Sequence, residues 1–152
     1  MQIIALSDLH ISGADDPLYA KFLNVLKPAN WKKDDVLVLV GDVFDLYVGK
    51  LKAFKNKFRL FHEAIDALLA IGVEIHYVEG NHDFFLEKTF APHVSGNRVR
   101  IHSADTQVSR DGQVFHFAHG DLVNPQDRGY RALRIFFRSP VMRLFVTQAP
   151  ER

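Results

Sequence analysis

The sequence predicts an α/β fold built around a mostly parallel β-sheet. Three short apolar runs, at residues 2–6, 36–40 and 73–78, each stop just before a polar or glycine-containing turn, which is typical of buried parallel strands. Two segments between these runs carry apolar residues at helical spacing, so the order is β-α-β-α-β. That alternation indicates right-handed crossovers between parallel strands.

The helices and the later strands follow from the same patterns. Apolar residues at helical spacing mark the two helices, first at Tyr19, Phe22, Leu23 and Leu26, then at Phe54, Phe58, Phe61, Ile65, Leu68 and Leu69. Further along, short apolar runs at 99–101, 106–109 and 114–118 lie close together, with Asp111-Gly112 as a hairpin turn between the last two. We therefore expect this part to be antiparallel.

The composition limits both the class of protein and its chemistry. The chain has 152 residues, of which 47% are hydrophobic and 24% charged, and it has no cysteine. This excludes intrinsic disorder, a disulfide framework and a cysteine nucleophile, and any metal must use oxygen and nitrogen ligands. The first apolar run ends at Asp8, too early for a signal peptide or a spanning helix. We therefore expect one globular domain in the cytoplasm.

Charge is distributed unevenly along the chain. Residues 1–127 hold 13 Lys and Arg against 17 Asp and Glu, whereas residues 128–152 hold six arginines and one glutamate. Residues 127–146 also have a helical pattern of aromatic and aliphatic residues, broken at Ser139-Pro140. Guanidinium groups beside aromatics suit phosphates and a membrane interface, although an amphipathic helix packed on the core is the alternative. The acidic body makes nucleic acid a poor partner.

Polar side chains follow the predicted strands at regular intervals. Asp8 is followed after 34 residues by Asp42, which is followed after 39 by Asn81 and after a further 38 by His119. Because these intervals match a βαβ repeat, we expect the groups to meet at the carboxyl edge of the sheet, where open α/β sheets bind ligands. Gly41, Gly80 and Gly120 flank the candidate ligands, and glycine allows a sharp turn or a close phosphate.

The donor types at these positions indicate a metal site. Carboxylate, imidazole and amide oxygen suit manganese, iron or zinc. If Asp42 bridges two ions roughly 3.5–4 Å apart, the pair can hold and deprotonate a water and can bind phosphoryl oxygens during an in-line displacement.

The motifs Asp8-Leu9-His10, Gly41-Asp42-Val43-Phe44-Asp45, Gly80-Asn81-His82-Asp83 and His119 stand in this order. They resemble the D-x-H, GD-x-x-D, GNH[DE] and later histidine of the calcineurin-like metallophosphoesterases, over residues 1 to about 143. The resemblance implies an αββα sandwich. It also implies that Asp8 and His10 bind one metal, that Asp42 bridges, and that Asn81 and His119 bind the second metal.

The same resemblance assigns roles around the metals. His82 would act as general acid or would stabilise the transition state at the leaving oxygen, and Asp83 would orient it. Asp45 and Asp121 would orient imidazoles or backbone around the ligands, with simple turn residues as the alternative.

The chain resembles in particular the subfamily of UDP-2,3-diacylglucosamine hydrolases, the pyrophosphatases of lipid A synthesis. The shared residues extend to 7–11, 83–86, 119–121 and the pattern Asp127-x-Gly129-Tyr130-x-x-Leu133-Arg134. This likeness implies two divalent ions, manganese first with iron or zinc as alternatives, and metal-hydroxide attack that yields UMP and 2,3-diacylglucosamine 1-phosphate. The substrate would be a nucleotide lipid. The enzyme would bind peripherally to the surface of the inner membrane. The implied substrate contacts are Asp127, Arg128, Arg131 and Arg134.

The sequence departs from this pattern in two ways. The lipid A enzymes usually carry arginine where this chain has His82, and the sequence contains no G-H-x-H. We therefore expect an incomplete metallophosphoesterase core at 1–126 and the beginning of a basic helical cap at 127–152, from a longer enzyme, so that this chain alone could be inactive. The alternatives are a general soluble nucleotide phosphodiesterase or phosphatase, and a non-catalytic interaction module. We expect His116 to be a buried, hydrogen-bonded residue.

Overall fold

The computed structural model describes residues 1–49, 52–94 and 98–148. Its strands are β1 (Ile3–Leu6), β2 (Val36–Val40), β3 (Tyr47–Val48), β4 (Glu74–Val78), β5 (Asp83–Phe84), β6 (Val99–His102), β7 (Thr106–Arg110) and β8 (Gln113–Phe117). Its α-helices are α1 (Pro17–Val25), α2 (Lys52–Lys57), α3 (Arg59–Ala70), α4 (Ala91–Val94), α5 (Arg128–Phe137) and α6 (Pro140–Gln148). Short 3-10 turns lie at Pro28–Asn30 and Leu86–Lys88.

The central layer is a parallel sheet with the order β1-β2-β4-β6. All five residues of β2 are buried, because β2 is flanked on both sides by a parallel strand. The predicted parallel sheet is confirmed. The expectation that residues 99–101 belong to the antiparallel part is wrong, because β6 pairs in parallel with β4. The four-residue α4 precedes β6, and so short a helix leaves no periodic pattern in a sequence.

The predicted second helix is divided at Phe58 into α2 and α3. Phe58 has φ −110° and ψ 34°, and its side chain is fully buried against Phe44, with ring centroids 4.1 Å apart. The break between α2 and α3 directs the Phe58 ring toward the core. Helix α1 begins as its sequence suggests, since Asp16 caps the Leu18 N–H at 2.9 Å and Pro17 takes the first position.

The two faces of the sheet are covered by different elements. Alternate residues of β2 point to opposite faces: Leu37 and Leu39 join the core beneath the helices, whereas Val36, Val38 and Val40 join a smaller core beneath the β7–β8 hairpin. The predicted hairpin is confirmed, with Asp111 and Gly112 at φ 51° and 77°. Helices, parallel sheet and a second, two-stranded antiparallel layer follow one another as in the predicted sandwich.

A polar cluster lies beneath the hairpin. The rings of His76 and His102 stack with centroids 5.2 Å apart, and His76 Nδ1 lies 3.0 Å from His102 Nε2. The other ring nitrogen of His76 is 2.9 Å from Glu74, which also forms ion pairs with Arg100 (2.7 Å) and with Arg110 of β7. His76 is 1% exposed. The ion pair between Glu74 and Arg110 joins this cluster to the hairpin, in addition to the apolar packing of the smaller core.

Helices α5 and α6 follow the hairpin and break at Ser139, as predicted. Residues 149–152 of the predicted cap segment lie outside the described residues. Among the helices that the structure describes, none is long and apolar enough to cross a membrane.

Candidate metal centre

The loops after β1 and β2 run side by side and carry the first three candidate ligands. Asp8 N–H donates to Gly41 O at 3.1 Å, and His10 N–H donates to Asp42 O at 2.9 Å. Asp8, His10 and Asp42 have φ of 52°, 46° and 52°, in the left-handed region that L-residues seldom adopt. The turns place their side chains beyond the carboxyl edge of the sheet, as the sequence predicts.

Asp42 is the point on which the donor atoms converge. Donor atoms of Asp8, Asp42 and His119 lie within 4.8 Å of one another, and those of His10, Asp42 and His82 do the same. Asp42 Oδ2 is 3.4 Å from His119 Nε2 and 3.9 Å from His10 Nε2. A carboxylate shared by two donor groups, with nitrogen and oxygen atoms around it, fits a pair of divalent cations.

Asn81 joins the same constellation through His119. The His119 Nε2 lies 3.1 Å from Asn81 Oδ1, and its Nδ1–H donates to Val40 O at 3.1 Å. A backbone acceptor on one ring nitrogen leaves the other to face the site, which is how metal-binding histidines are usually held. Asp8, His10, Asp42, Asn81 and His119 are therefore brought together, although they are far apart in sequence.

The electrostatics of the site centre on Asp42 and His119. The hydrogen bond to Asp42 is the largest effect on His119 and raises its pKa to about 9 despite burial. Burial alone would raise the pKa of Asp42, but the hydrogen bonds from His119 and from the His82 N–H hold it below its ordinary value. At neutral pH the pair is therefore ionised, and a divalent cation can replace the proton on the imidazole.

Asp83 has a different role from the predicted one of orienting His82. Its carboxylate is fully buried and accepts hydrogen bonds from the N–H groups of Gly80 (2.8 Å), Asp42 (2.9 Å) and Val43 (2.9 Å) and from Tyr77 OH (2.6 Å). Burial raises the pKa of Asp83. The carboxylate thus joins the loop after β4 to the loop after β2, a function that the motif alone does not reveal.

The imidazole of His82 is held instead by Asp45. His82 Nδ1–H donates to Asp45 O at 2.7 Å, and the Asp45 carboxylate lies 3.8 Å from the same nitrogen. The ring packs edge-on against His10, with centroids 4.9 Å apart. Because a carbonyl can only accept, Nδ1 carries the proton and Nε2 is left to face the site. The hydrogen bond is made by the backbone carbonyl of Asp45, so an orienting role of the Asp45 carboxylate stays a prediction.

Asp121 faces helix α5 instead of a ligand. It accepts hydrogen bonds from Tyr130 OH at 2.6 Å and from Arg134 Nε at 2.7 Å. Asp121 does lie in a turn, as the alternative expected, and its side-chain contacts fasten α5 beside His119. The signal in the sequence is the Tyr130-x-x-x-Arg134 spacing, which places both side chains on one face of a helix.

The predicted substrate contacts separate in the structure. Asp127 is exposed and caps α5 by accepting from Tyr130 N–H at 2.9 Å. Arg128 is exposed, and Arg131 donates to Leu122 O at 3.2 Å. Arg134 borders a cavity of about 240 Å³ between α5 and the metal centre, which is lined by Asn81, His82, Phe84, Tyr130, Leu133, Arg134, Phe137 and Arg138. Phe137 and Arg138 were not among the residues predicted for the site.

His116 corrects one further expectation. It is hydrogen-bonded as predicted, with Nε2 2.6 Å from Asp105, but its side chain is 54% exposed. β8 is an open strand whose residues 113–116 are all exposed, so His116 faces solvent rather than a core.

Comparison with known proteins agrees with the motifs. The profile of the calcineurin-like phosphoesterases matches residues 1–144. Relatives named UDP-2,3-diacylglucosamine hydrolase, from Salmonella agona and Stutzerimonas stutzeri, are each 30% identical over 97% and 95% of this chain. A relative of the same name from Xanthomonas oryzae pv. oryzae is 28% identical over 93%. The chain spans 60%, 58% and 55% of the lengths of these three relatives.

A solved structure of a protein of unknown function from Aquifex aeolicus aligns with 91% of this chain and 74% of its own chain. The sequence identity is 15% and the TM-score is 0.46. The family profile covers nearly the whole chain and includes every residue of the metal centre. The chain therefore belongs to the calcineurin-like phosphoesterases, a family of metal-dependent hydrolases.

Proposed function

We propose that this chain forms the metal-binding part of a two-metal phosphoesterase that hydrolyses the pyrophosphate of UDP-2,3-diacylglucosamine to UMP and 2,3-diacylglucosamine 1-phosphate. The observation that carries the proposal is the buried Asp42 carboxylate, which two groups of donor atoms share. The names of the relatives support the substrate.

The residues of the site have distinct tasks in this proposal. Asp8, His10 and Asp42 would hold one cation, and Asp42, Asn81 and His119 would hold the other, with Mn²⁺ preferred to Fe or Zn. In the structure, the donor atoms group Asp8 with His119 and His10 with His82, and Asp42 belongs to both groups. The cations would supply a water of lowered pKa as nucleophile and would offset the charge of the phosphoryl oxygens. Because the Nδ1–H of His82 is bonded to Asp45 O, the imidazolium form of His82 would carry its second proton on Nε2 and would donate that proton or a hydrogen bond to the leaving oxygen.

The helices after residue 126 form the cap in this proposal. The cavity beneath α5 is lined by the polar Asn81 and His82 and by the apolar Leu133 and Phe137, which supports a ligand that has both a phosphate and an apolar part. Arg134 is in place to contact that phosphate, with Asp127, Arg128 and Arg131 at the start of the same cap.

The outer surface of the cap supports peripheral binding to a membrane. Ile135, Phe136 and Val141 are 72%, 58% and 65% exposed, and Arg128 and Arg131 are on the same helical pair. Exposed apolar residues beside arginines suit an anionic lipid surface. Co-sedimentation with vesicles that contain phosphatidylglycerol should exceed that with neutral vesicles, and Phe136→Asp should abolish it.

The test of the function compares wild-type protein with Asp42→Asn, with Asp105→Asn as a control carboxylate that is exposed and pairs with His116. We expect Asp42→Asn to weaken Mn²⁺ binding by more than about 100-fold in titration calorimetry, because it removes a ligand rather than an outer partner, and to stop release of UMP. Asp105→Asn should match wild type. Wild-type Mn²⁺ affinity in Asp42→Asn would contradict the metal centre.

A comparison of two substrates distinguishes the proposed hydrolase from a general phosphodiesterase and from a chain that is not catalytic on its own. UDP-2,3-diacylglucosamine should be cleaved much faster than bis-p-nitrophenyl phosphate. Equal rates would indicate a general phosphodiesterase. Mn²⁺ binding without cleavage of either compound would show that this chain binds metal but is not catalytic on its own.

A further inference from the structure

Arg138 lies where the end of α5 meets the loop after β4. Its side chain is 15% exposed, and its guanidinium reaches three acceptors. Nη1 donates to Glu79 Oε2 at 3.1 Å and to Ser103 O at 3.2 Å, and Nη2 donates to Gly80 O at 2.9 Å. Such a fork of fixed donors can hold several acceptors in one arrangement, which the single ammonium group of lysine cannot do.

Glu79 connects this contact to both ends of the loop. Its side chain is 5% exposed, and while one carboxylate oxygen accepts from Arg138, the other accepts from Leu86 N–H at 2.8 Å. Residues 80–85, which include Asn81 and His82, lie between these two anchors. Removing the guanidinium would leave Glu79 as a buried charge without its partner, which is strongly unfavourable.

The bond to Gly80 O acts directly on the position of Asn81. The carbonyl of Gly80 and the nitrogen of Asn81 belong to one planar peptide unit. The hydrogen bond from Arg138 therefore fixes the orientation of the peptide plane that joins Gly80 to Asn81. On the other side the loop is already in tight contact, since a Cβ on Gly80 would lie 2.1 Å from Asp42 Oδ1. The loop is thus held between Asp42 and Arg138.

From these contacts we infer that Arg138 is a positioning residue, which couples the seating of helix α5 to the placement of Asn81 and His82 in the metal centre. Its expected effect on cation binding rests on the proposed function, whereas its effect on the loop does not.

Arg143 on α6 provides a matched control. It also forms an ion pair at 3.1 Å, with Glu87, and lies over an aromatic ring, Phe85, as Arg138 lies over Phe84. The Arg143–Glu87 side chains are 49% and 61% exposed, so this pair is expected to contribute little.

The experiment compares Arg138→Met, Arg138→Lys and Arg143→Met in two measurements. The first is amide hydrogen exchange of Gly80 and His82 without metal, since these N–H groups donate to Asp83 and Asp42. The second is Mn²⁺ affinity by calorimetry. Arg138→Met should accelerate both exchange rates and weaken Mn²⁺ binding about 10-fold, Arg138→Lys should restore part of each, and Arg143→Met should match wild type.

Unchanged exchange in folded Arg138→Met, or equal changes in Arg143→Met, would overturn the inference. If Arg138→Met does not fold, the double variant Arg138→Met/Glu79→Gln removes both charges, and faster exchange at Gly80 and His82 in that protein supports the inference while wild-type exchange overturns it. Faster exchange together with a wild type that binds no Mn²⁺ would support the positioning role and overturn the proposed function.

Discussion

The two faces of the parallel sheet differ in how they are built. Beneath the helices lies a large apolar core with interlocking aromatic rings, among them Phe44 and Phe61, whose centroids are 5.1 Å apart. Beneath the hairpin lies a small cluster of valines beside the polar contacts of His76. Aromatic packing therefore dominates the helical face, whereas the hairpin face combines a small valine core with hydrogen bonds.

The metal centre draws its ligands from both faces. Val43 and Phe44, directly after Asp42, are fully buried in the core beneath the helices, so that core anchors the Asp42 turn. His119 follows β8, whose residues 113–116 are exposed. One metal centre can therefore combine a ligand anchored in a large apolar core, Asp42, with a ligand that follows an exposed strand, His119.

The largest expected effect is on the core beneath the helices. Phe61 is fully buried and contacts the rings of Phe22 and Phe44, so Phe61→Ala should lower the free energy of unfolding by about 3–5 kcal/mol. Val108→Ala, at a 2% exposed position of the hairpin face, should lower it by about 1–2 kcal/mol. Urea unfolding measures both, and equal losses would show that the two faces contribute equally.

A smaller effect is expected where the site is joined to the sheet. Asp83→Ala removes the acceptor of three buried N–H groups. We therefore expect a loss of about 2–4 kcal/mol in unfolding free energy. Water that enters the vacated space limits the loss to this range. Asp105→Ala, at an exposed carboxylate, should change it by less than about 0.5 kcal/mol. Similar values for the two variants would show that Asp83 does not brace the loops.

The smallest effect concerns acid sensitivity, to which both faces contribute buried histidines. Burial lowers the pKa of His62, on the helical face, and of His76, on the hairpin face, to about 4 from the ordinary 6.5. The unfolded chain then binds more protons than the folded chain between pH 6.5 and 4, so stability is full above pH 6.5 and falls as the pH drops through that window.

His76→Gln and His62→Gln should therefore each reduce the loss of unfolding free energy between pH 7 and pH 5 by about 1 kcal/mol, because burial lowers both pKa values to about 4. Urea titrations of the three proteins at both pH values measure this. A larger effect at His62 would show that the helical face determines acid sensitivity.

The sequence predicted what depends on local pattern and strand order. The unbroken run of β2 and the regular spacing of polar residues sufficed to place Asp8, Asp42, Asn81 and His119 at one edge. The break at Phe58 could not be predicted, because it depends on a ring from another segment, Phe44. The parallel pairing of β6 was likewise missed, because the helix that precedes β6, α4, has only four residues and is too short to show a period.

The contacts around the ligands were the hardest part to predict. Asp83 stands inside the recognised motif, yet its bonds to the N–H groups of Asp42 and Val43 cross 40 residues or more and leave no trace in local spacing. In the sequence, Arg138 cannot be distinguished from the other arginines of its segment. In the structure, it contacts Glu79 and Gly80. Long-range polar contacts of this kind are decided by tertiary structure.

The backbone at Asp8, His10 and Asp42 has a consequence for laboratory evolution. A left-handed φ at a residue other than glycine costs on the order of 1–3 kcal/mol, and three such residues converge on one point. Variants selected only for heat resistance should therefore acquire glycine or asparagine at these positions, whereas selection for cation binding should retain the aspartates and the histidine. Stability and activity would trade off most sharply at these three positions of the chain.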